Sequence, residues 1–394
     1  MAVYFLLAAS AYMLVYIAEL IDGKEQGARR YLAFAPLIVL AVLFCFVAGI
    51  RADDVGTDLG VYGIGVFENA KHLSYSEFKI NYPSFAPLVS IYFWIMGNIA
   101  RSQFAFLFLI QVPATIVALA AVWMGGTRNR AWGAFCYALF LYPISLNLIR
   151  QSIAISFAAL ALALLISRKR VLNSLLMSVA AVLCHYSSII VLIAYPIYFI
   201  SRLLRSVARC ALYLLMDLII LAVICVYPAL VRFLASSSDY FALYGQTGVT
   251  LGGSALFVFA YHVVLIIVYL KLIDRNCENE VALSYLGIVS MGATAYLFGL
   301  QSMDLYRPSL YFLSASILIP GSAALRFQST GQTMSCKSTV RVENAPLNNI
   351  YIVGKTICYL ILPVFLFVVY FSILHQHEII PFSVDVQFLV ELFG

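Results

Sequence analysis

"NLIRQSIAISFAALALALLI", residues 147–166, sets an arginine and a glutamine into a run that is otherwise nearly all apolar. The run opens at Ala131, and its next charge cluster after Arg150 is "SRKR" at 167–170. A charge at the centre of a bilayer costs about 2.5–3.5 kcal/mol on insertion scales. Arg150 therefore belongs at the end of a span, and 131–167 reads as two crossings joined by a hairpin with Arg150 at its apex.

The composition agrees. Of 394 residues, 63% are hydrophobic and 11% charged, where a soluble chain carries about one-quarter charged residues. Apolar segments fall at 3–21, 33–50, 104–124, 132–149, 151–167, 171–184, 187–200, 210–233, 254–272, 281–300, 308–325 and 350–373. The fold class that follows is an all-α polytopic membrane protein of about 12 transmembrane helices. The start, "MAVYFLLAASAYMLVYIAEL", has neither a basic leader nor a small-residue cleavage site and reads as a first span. The net charge of +6 is no nucleic-acid signal, because its positives cluster in short loops between spans. Eight cysteines are scattered without a CxxC pair and read as small buried hydrophobes.

The basic loops "DGKEQGARR", "TRNR", "SRKR", "SRLLRSVAR", "KLIDR" and 326–349 hold 16 of the 24 Lys and Arg. Placed in the cytoplasm, they put both termini outside. Parity then makes "FAPLVSIYFWIMGNIA" (85–100) a re-entrant or interfacial outer helix. It also leaves only 30 residues, 171–200, for two crossings, so their turn "CHYSS" must be recessed. One integral domain, 1–394, accounts for the chain, with an outer loop at 51–103, a cytoplasmic loop at 326–349 and a short outer tail at 374–394.

With this topology Arg51, Arg150, Arg307 and His185 gather on the outer face with Asp53, Asp54, Asp58 and Asp304. A guanidinium stays charged and offers a planar fork that matches phosphate oxygens in pairs. Several at the membrane boundary would hold a lipid-linked phosphate or pyrophosphate and stabilise it as it leaves. Snorkelling arginines at span ends are the plainer alternative. A histidine such as His185 suits general-base or phosphate-contact duty, or simply a buried hydrogen bond. Asp58 is a candidate base or a solvated loop charge. No metal-ligand spacing stands out beyond a weak "HQH" at 375–377, and no nucleotide-binding phosphate loop occurs, so neither a cofactor nor a nucleic-acid partner is expected.

Four short motifs resemble the EpsG family of Wzy-like bacterial polysaccharide polymerases, in order over about residues 1–325. They are "RADDVGTDLGVY" (Arg51, Gly56, Thr57, Asp58, Tyr62), "NLIRQSIAISF" (Asn147, Arg150, Gln151), "CHYSSII" (His185, Ser187) and "RPSLYF" (Arg307, Tyr311). Ser188 departs from the family pattern, where alanine is common. The resemblance implies a GT-C-like glycosyltransferase of the bacterial inner membrane, working at the periplasmic face on undecaprenyl-pyrophosphate-linked oligosaccharides. It implies catalytic roles for Arg51, Asp58, Arg150, His185 and Arg307. Substrate contacts would come from Tyr62, Asn147, Gln151, Ser187, Asp304 and Tyr311. A flippase and a chain-length regulator would be its partners in the bilayer. Tyr75, Tyr82, Tyr240 and Tyr244 would stack on sugars or belong to an interfacial belt.

Three alternatives remain. An O-antigen ligase usually has a larger outer loop than 51–103 or 234–253. A polysaccharide flippase or transporter would show mid-membrane charges or two related halves. A membrane acyltransferase would show paired arginines in the first span.

Overall fold

In the computed structural model, residues 1–24, 31–56, 58–126, 129–235, 253–272, 280–301, 305–322, 360–374 and 382 are described. Every regular element among them is helical. In chain order these are α1 (Ala2–Lys24), α2 (Phe34–Gly49), a π-helical turn (Leu59–Ile64), α3 (Gly65–His72), α4 (Tyr75–Asn81), α5 (Pro87–Ile99) and α6 (Gln103–Gly125). There follow α7 (Arg130–Leu139), α8 (Leu141–Asn147), α9 (Ile149–Ile166), α10 (Val171–Cys184), a 3₁₀ helix (Tyr186–Ile193), α11 (Ala194–Leu203) and α12 (Ser206–Ala235). The last are α13 (Gly253–Leu272), α14 (Glu280–Tyr296), α15 (Ser309–Ser322) and α16 (Leu362–Ile373).

Eight helical stretches among the described residues are long and apolar enough to cross a membrane: Ala2–Gly23, Tyr31–Gly49, Gln103–Gly125, Ile149–Ile166, Tyr186–Leu203, Ser206–Ala229, Gly253–Leu270 and Glu280–Leu300. Four apolar helices are shorter, α5, α10, α15 and α16. The chain is an all-α membrane protein.

The single span expected over 132–149 is two helices that meet at Phe140 (φ −117°, ψ −65°). Pro143 is the reason. Its ring has no N–H to give the Leu139 carbonyl and would collide with it, so α7 stops there and the proline sits in the first turn of α8. The stretch expected as an outer loop, 51–103, is itself largely helical. It holds the π-helical turn, α3, α4 and α5, with Ser74 and Glu77 forming a capping box at α4. The loop expected in the cytoplasm, 326–349, together with Thr57, Asp304, the histidines 375 and 377, Tyr240, Tyr244 and nearly all of the tail 374–394, lies outside the described residues.

Helix α9 is the centre of the bundle, buried along nearly its whole length. Its alanines, 154, 158, 159, 161 and 163, let neighbouring backbones come close, which is how helices associate where lipid offers no hydrophobic drive. α6, α10 and α15 pack on it, and the Ser174 hydroxyl donates to the Ala161 carbonyl (2.7 Å).

Ion pairs sort the helix ends. The Arg130 guanidinium pairs with Asp22 at 3.1 Å and its backbone N–H donates to Glu19 at 2.9 Å, which places the ends of α1 and α6 beside the start of α7. Arg168, just past α9, donates to the Met124 carbonyl at that same end (2.9 Å). The other end of α9 carries Arg150, and the loop after α2 reaches it there. Among the described residues, Asp22, Arg130, Arg168 and the end of α6 thus share one end of the bundle, and Arg51, Arg150 and Arg307 gather at the other.

Candidate functional site

The first two motifs form one clamp. α8 ends at Asn147, and a helix C-terminus leaves backbone carbonyls without intrahelical partners. The Arg51 guanidinium, 2% exposed, donates Nη1–H to one of them, the Leu146 carbonyl. A cation there also complements the negative end of the helix dipole. Gly56 lies against the same carbonyl with φ +96°. A Cβ at that position would stand 2.9 Å from the Leu146 oxygen, so both the backbone conformation and the space demand glycine. The Asp58 N–H then donates to the Asn147 side-chain oxygen at 3.0 Å. The Tyr62 N–H closes the next turn on the Asp58 carbonyl at 2.8 Å. That π-helical turn brings the Tyr62 ring toward the start of α9.

There the Arg150 guanidinium lies over two adjoining rings, 3.9 Å from the centroid of Tyr62 and 4.6 Å from that of Phe85, which are themselves 5.8 Å apart. Cation–π contacts of this kind draw a guanidinium to the ring faces. Its Nη1 is 3.5 Å from the Ser84 hydroxyl. The Asp58 carboxylate and the Arg307 guanidinium are both within electrostatic reach of Arg150. Arg150 is partly exposed, as Arg307 is, whereas Arg51 is not.

The last two motifs form a second unit. His185 ends α10 in an extended conformation (φ −157°, ψ 116°). Its Nδ1 is 2.8 Å from the Ser187 hydroxyl and 3.1 Å from the Tyr311 hydroxyl, and these two hydroxyls are 2.9 Å apart. The closed triangle leaves the opposite ring nitrogen, Nε2, outside it. Gln151 ties this unit to the first, donating to the Arg307 carbonyl at 2.9 Å. Burial first, then the charges of Arg150 and Arg307, push the His185 imidazole down from its ordinary value to about 4, so it is neutral at neutral pH. α10, at 14 residues, rises only about 21 Å.

All the expected site residues within the described region therefore converge at one end of the bundle. Arg51 is the exception in kind, because it grips α8 and is sealed from solvent. Sequence reading missed Ser84 and Phe85, which complete the cradle of Arg150 from the α4–α5 connection. Their only local signal is the aromatic step between Pro83 and Pro87. Asp53 accepts from Gln103 at 2.6 Å. Among the described residues no group of three His, Cys, Asp or Glu is placed to hold a metal ion.

No curated protein and no solved structure matches the chain. Residues 34–337, which span every element of the site, match the profile of the EpsG family. The chain belongs to the EpsG family, a family of Wzy-like polysaccharide polymerases, and its function is of the polysaccharide-polymerase type.

Proposed function

We propose that this protein joins undecaprenyl-pyrophosphate-linked oligosaccharide repeats by glycosyl transfer at the periplasmic face of the bacterial inner membrane. A hydroxyl of one lipid-linked unit attacks the anomeric carbon of the growing chain. The new glycosidic C–O bond forms as the bond from that carbon to the pyrophosphate oxygen breaks, and undecaprenyl pyrophosphate leaves with the bonding electrons. The hydroxyl proton passes to Asp58 or to neutral His185. The observation that carries this reading is the pairing of Arg150 and Arg307, both partly exposed, beside one imidazole at one end of the bundle.

Each residue has a task that its surroundings favour. Seated on Tyr62 and Phe85, Arg150 offers the donors that the rings leave free to a pyrophosphate. Arg307 adds the second charge, and the two stabilise negative charge as it builds on the leaving group. Arg51 and Asn147 hold the end of α8, from which Arg150 follows. Gln151, Ser187 and Tyr311 orient Arg307 and His185. Asp304 would line the same mouth. The arrangement fits a GT-C-like fold of twelve crossings with both termini outside, in which α7 and α8 together, α10, α15 and α16 cross as well as the eight longer stretches. A flippase would deliver its substrate and a chain-length regulator would set its product.

The test is reconstitution of the full chain in nanodiscs with an undecaprenyl-pyrophosphate-linked repeat. Wild-type protein should release undecaprenyl pyrophosphate and lengthen the glycan. Arg150→Ala and Arg307→Ala should each slow elongation by about a hundredfold or more, the scale of removing one charge-stabilising donor from an active site. Elongation at wild-type rate in both variants would sink the pyrophosphate assignment.

A further inference from the structure

The opposite end of the bundle holds a second polar site. A cavity of about 460 Å³ lies between the ends of α9 and α11 and the starts of α12 and α14, lined by Lys169, Arg202, Arg209, Glu280, Tyr198 and Ser284 among others. Helix α9 separates it from Arg150 by about 25 Å of rise, so it is no part of the site described above. Arg209 is buried in its wall. Its guanidinium donates to the Ser201 carbonyl (2.9 Å) and the Leu204 carbonyl (3.2 Å), and pairs with Glu280 at 3.2 Å. With that pair matched, Lys169 and Arg202 leave the cavity a net positive charge of two. Lys169 holds a left-handed backbone conformation, φ +53°, which a non-glycine residue rarely adopts and which often marks a functional position. Arg205 and Arg209 line a smaller adjoining cavity.

The surroundings say what kind of anion would sit there. Leu203, which lines the adjoining cavity, is 86% exposed, and Val207 in the first turn of α12 is 85% exposed, so exposed apolar side chains stand near the basic hollow. A free anion needs the hollow alone. A phospholipid fills both parts, its phosphodiester among the cations and its acyl chains along α11 and α12. Basic pockets between transmembrane helices on the cytoplasmic side hold anionic headgroups in this way.

We propose that this cavity binds the phosphodiester headgroup of an anionic membrane phospholipid, with Lys169 and Arg202 as the contacts that give it affinity and Glu280 as the contact that limits it. The assignment rests on the chain lying in a membrane and is independent of the chemistry at the other end.

The experiment is native mass spectrometry of the full chain in detergent, titrated in parallel with phosphatidylglycerol, with phosphatidylcholine of the same acyl chains, and with inorganic phosphate. Phosphatidylglycerol should bind at one saturable site and the other two should not compete for it. The double variant Lys169→Gln/Arg202→Gln should bind it about thirty-fold more weakly, the scale of two surface cations. Glu280→Gln should bind it several-fold more tightly, a gain that misfolding cannot mimic. Equal binding by wild type and the double variant would overturn the proposal, as would weaker binding in Glu280→Gln. Competition by inorganic phosphate would reassign the site to a soluble anion and overturn the lipid.

Discussion

At the scale of single residues, Arg51 and Arg150 show how two arginines of one family pattern divide their work. Arg51 is sealed, with its charge spent on the Leu146 carbonyl, and Arg150 is open, with its charge held over two adjoining rings. Their variants should fail differently. Arg51→Ala should lower thermal stability by about 2–3 kcal/mol, since a buried carbonyl loses a charged donor and a cavity opens. Arg150→Ala should keep the wild-type melting temperature and lose polymerisation. A melting curve for each purified variant separates the two. Arg150→Lys should also be poor, because an ammonium cannot stack on Tyr62 and Phe85 as a guanidinium does or offer a planar fork. His185 adds a pH signature. A base pushed down to about 4 stays deprotonated as pH falls through 6.5. The polymerisation rate should therefore be flat from pH 7.5 to 5.5, with its acid limb nearer 4. An acid limb centred near 6.5 would remove His185, as described, from the role of base.

At the scale of elements, backbone approach fixes how the ends of the helices meet. A Cβ on Gly126, just after α6, would fall 2.1 Å from the Gly321 carbonyl oxygen, and one on Gly133 of α7 would fall 2.6 Å from that of Ile317. α15 is therefore pressed against both, and it is α15 that carries Tyr311 to His185. Gly126→Val should push α15 away and cost about 1–3 kcal/mol, the usual range for overpacking, with loss of activity although no site residue has changed. Wild-type stability and activity in that variant would show that α15 can move without consequence.

Much of this level was legible beforehand. Hydropathy alone marks each apolar segment, and the charge of Arg150 marks the hairpin apex, because a bilayer penalises error heavily. The break at Phe140 went unread although Pro143 announces it, since a span-length apolar run masks a local turn signal. Within 51–103, α5 is the helix expected over 85–100, whereas α3 and α4 carry no sequence signal because their mixed composition has no long apolar period. Ser84 and Phe85 were out of reach for a different reason. They meet Arg150 across more than sixty residues of chain, and nothing local records that contact.

At the scale of the whole molecule, charge is segregated along the bundle. Among the described residues, one end holds Arg130, Arg168 and the cavity of Lys169, Arg202 and Arg209. The other holds Arg51, Arg150, Arg307 and His185, the candidate site. The two proposals together give the chain a use for both surfaces, anionic lipid at one and a lipid-linked glycan at the other. The most direct test of the central claim uses the living membrane. Surface polysaccharide would be resolved by length on a gel from a strain lacking this gene, complemented with wild-type or Arg150→Ala protein at equal expression. Wild-type protein should restore a ladder of many repeats, while the deletion and Arg150→Ala should both stop at a single repeat. A full ladder from Arg150→Ala, or a deletion strain with no repeat at all, would contradict a polymerase acting through this arginine.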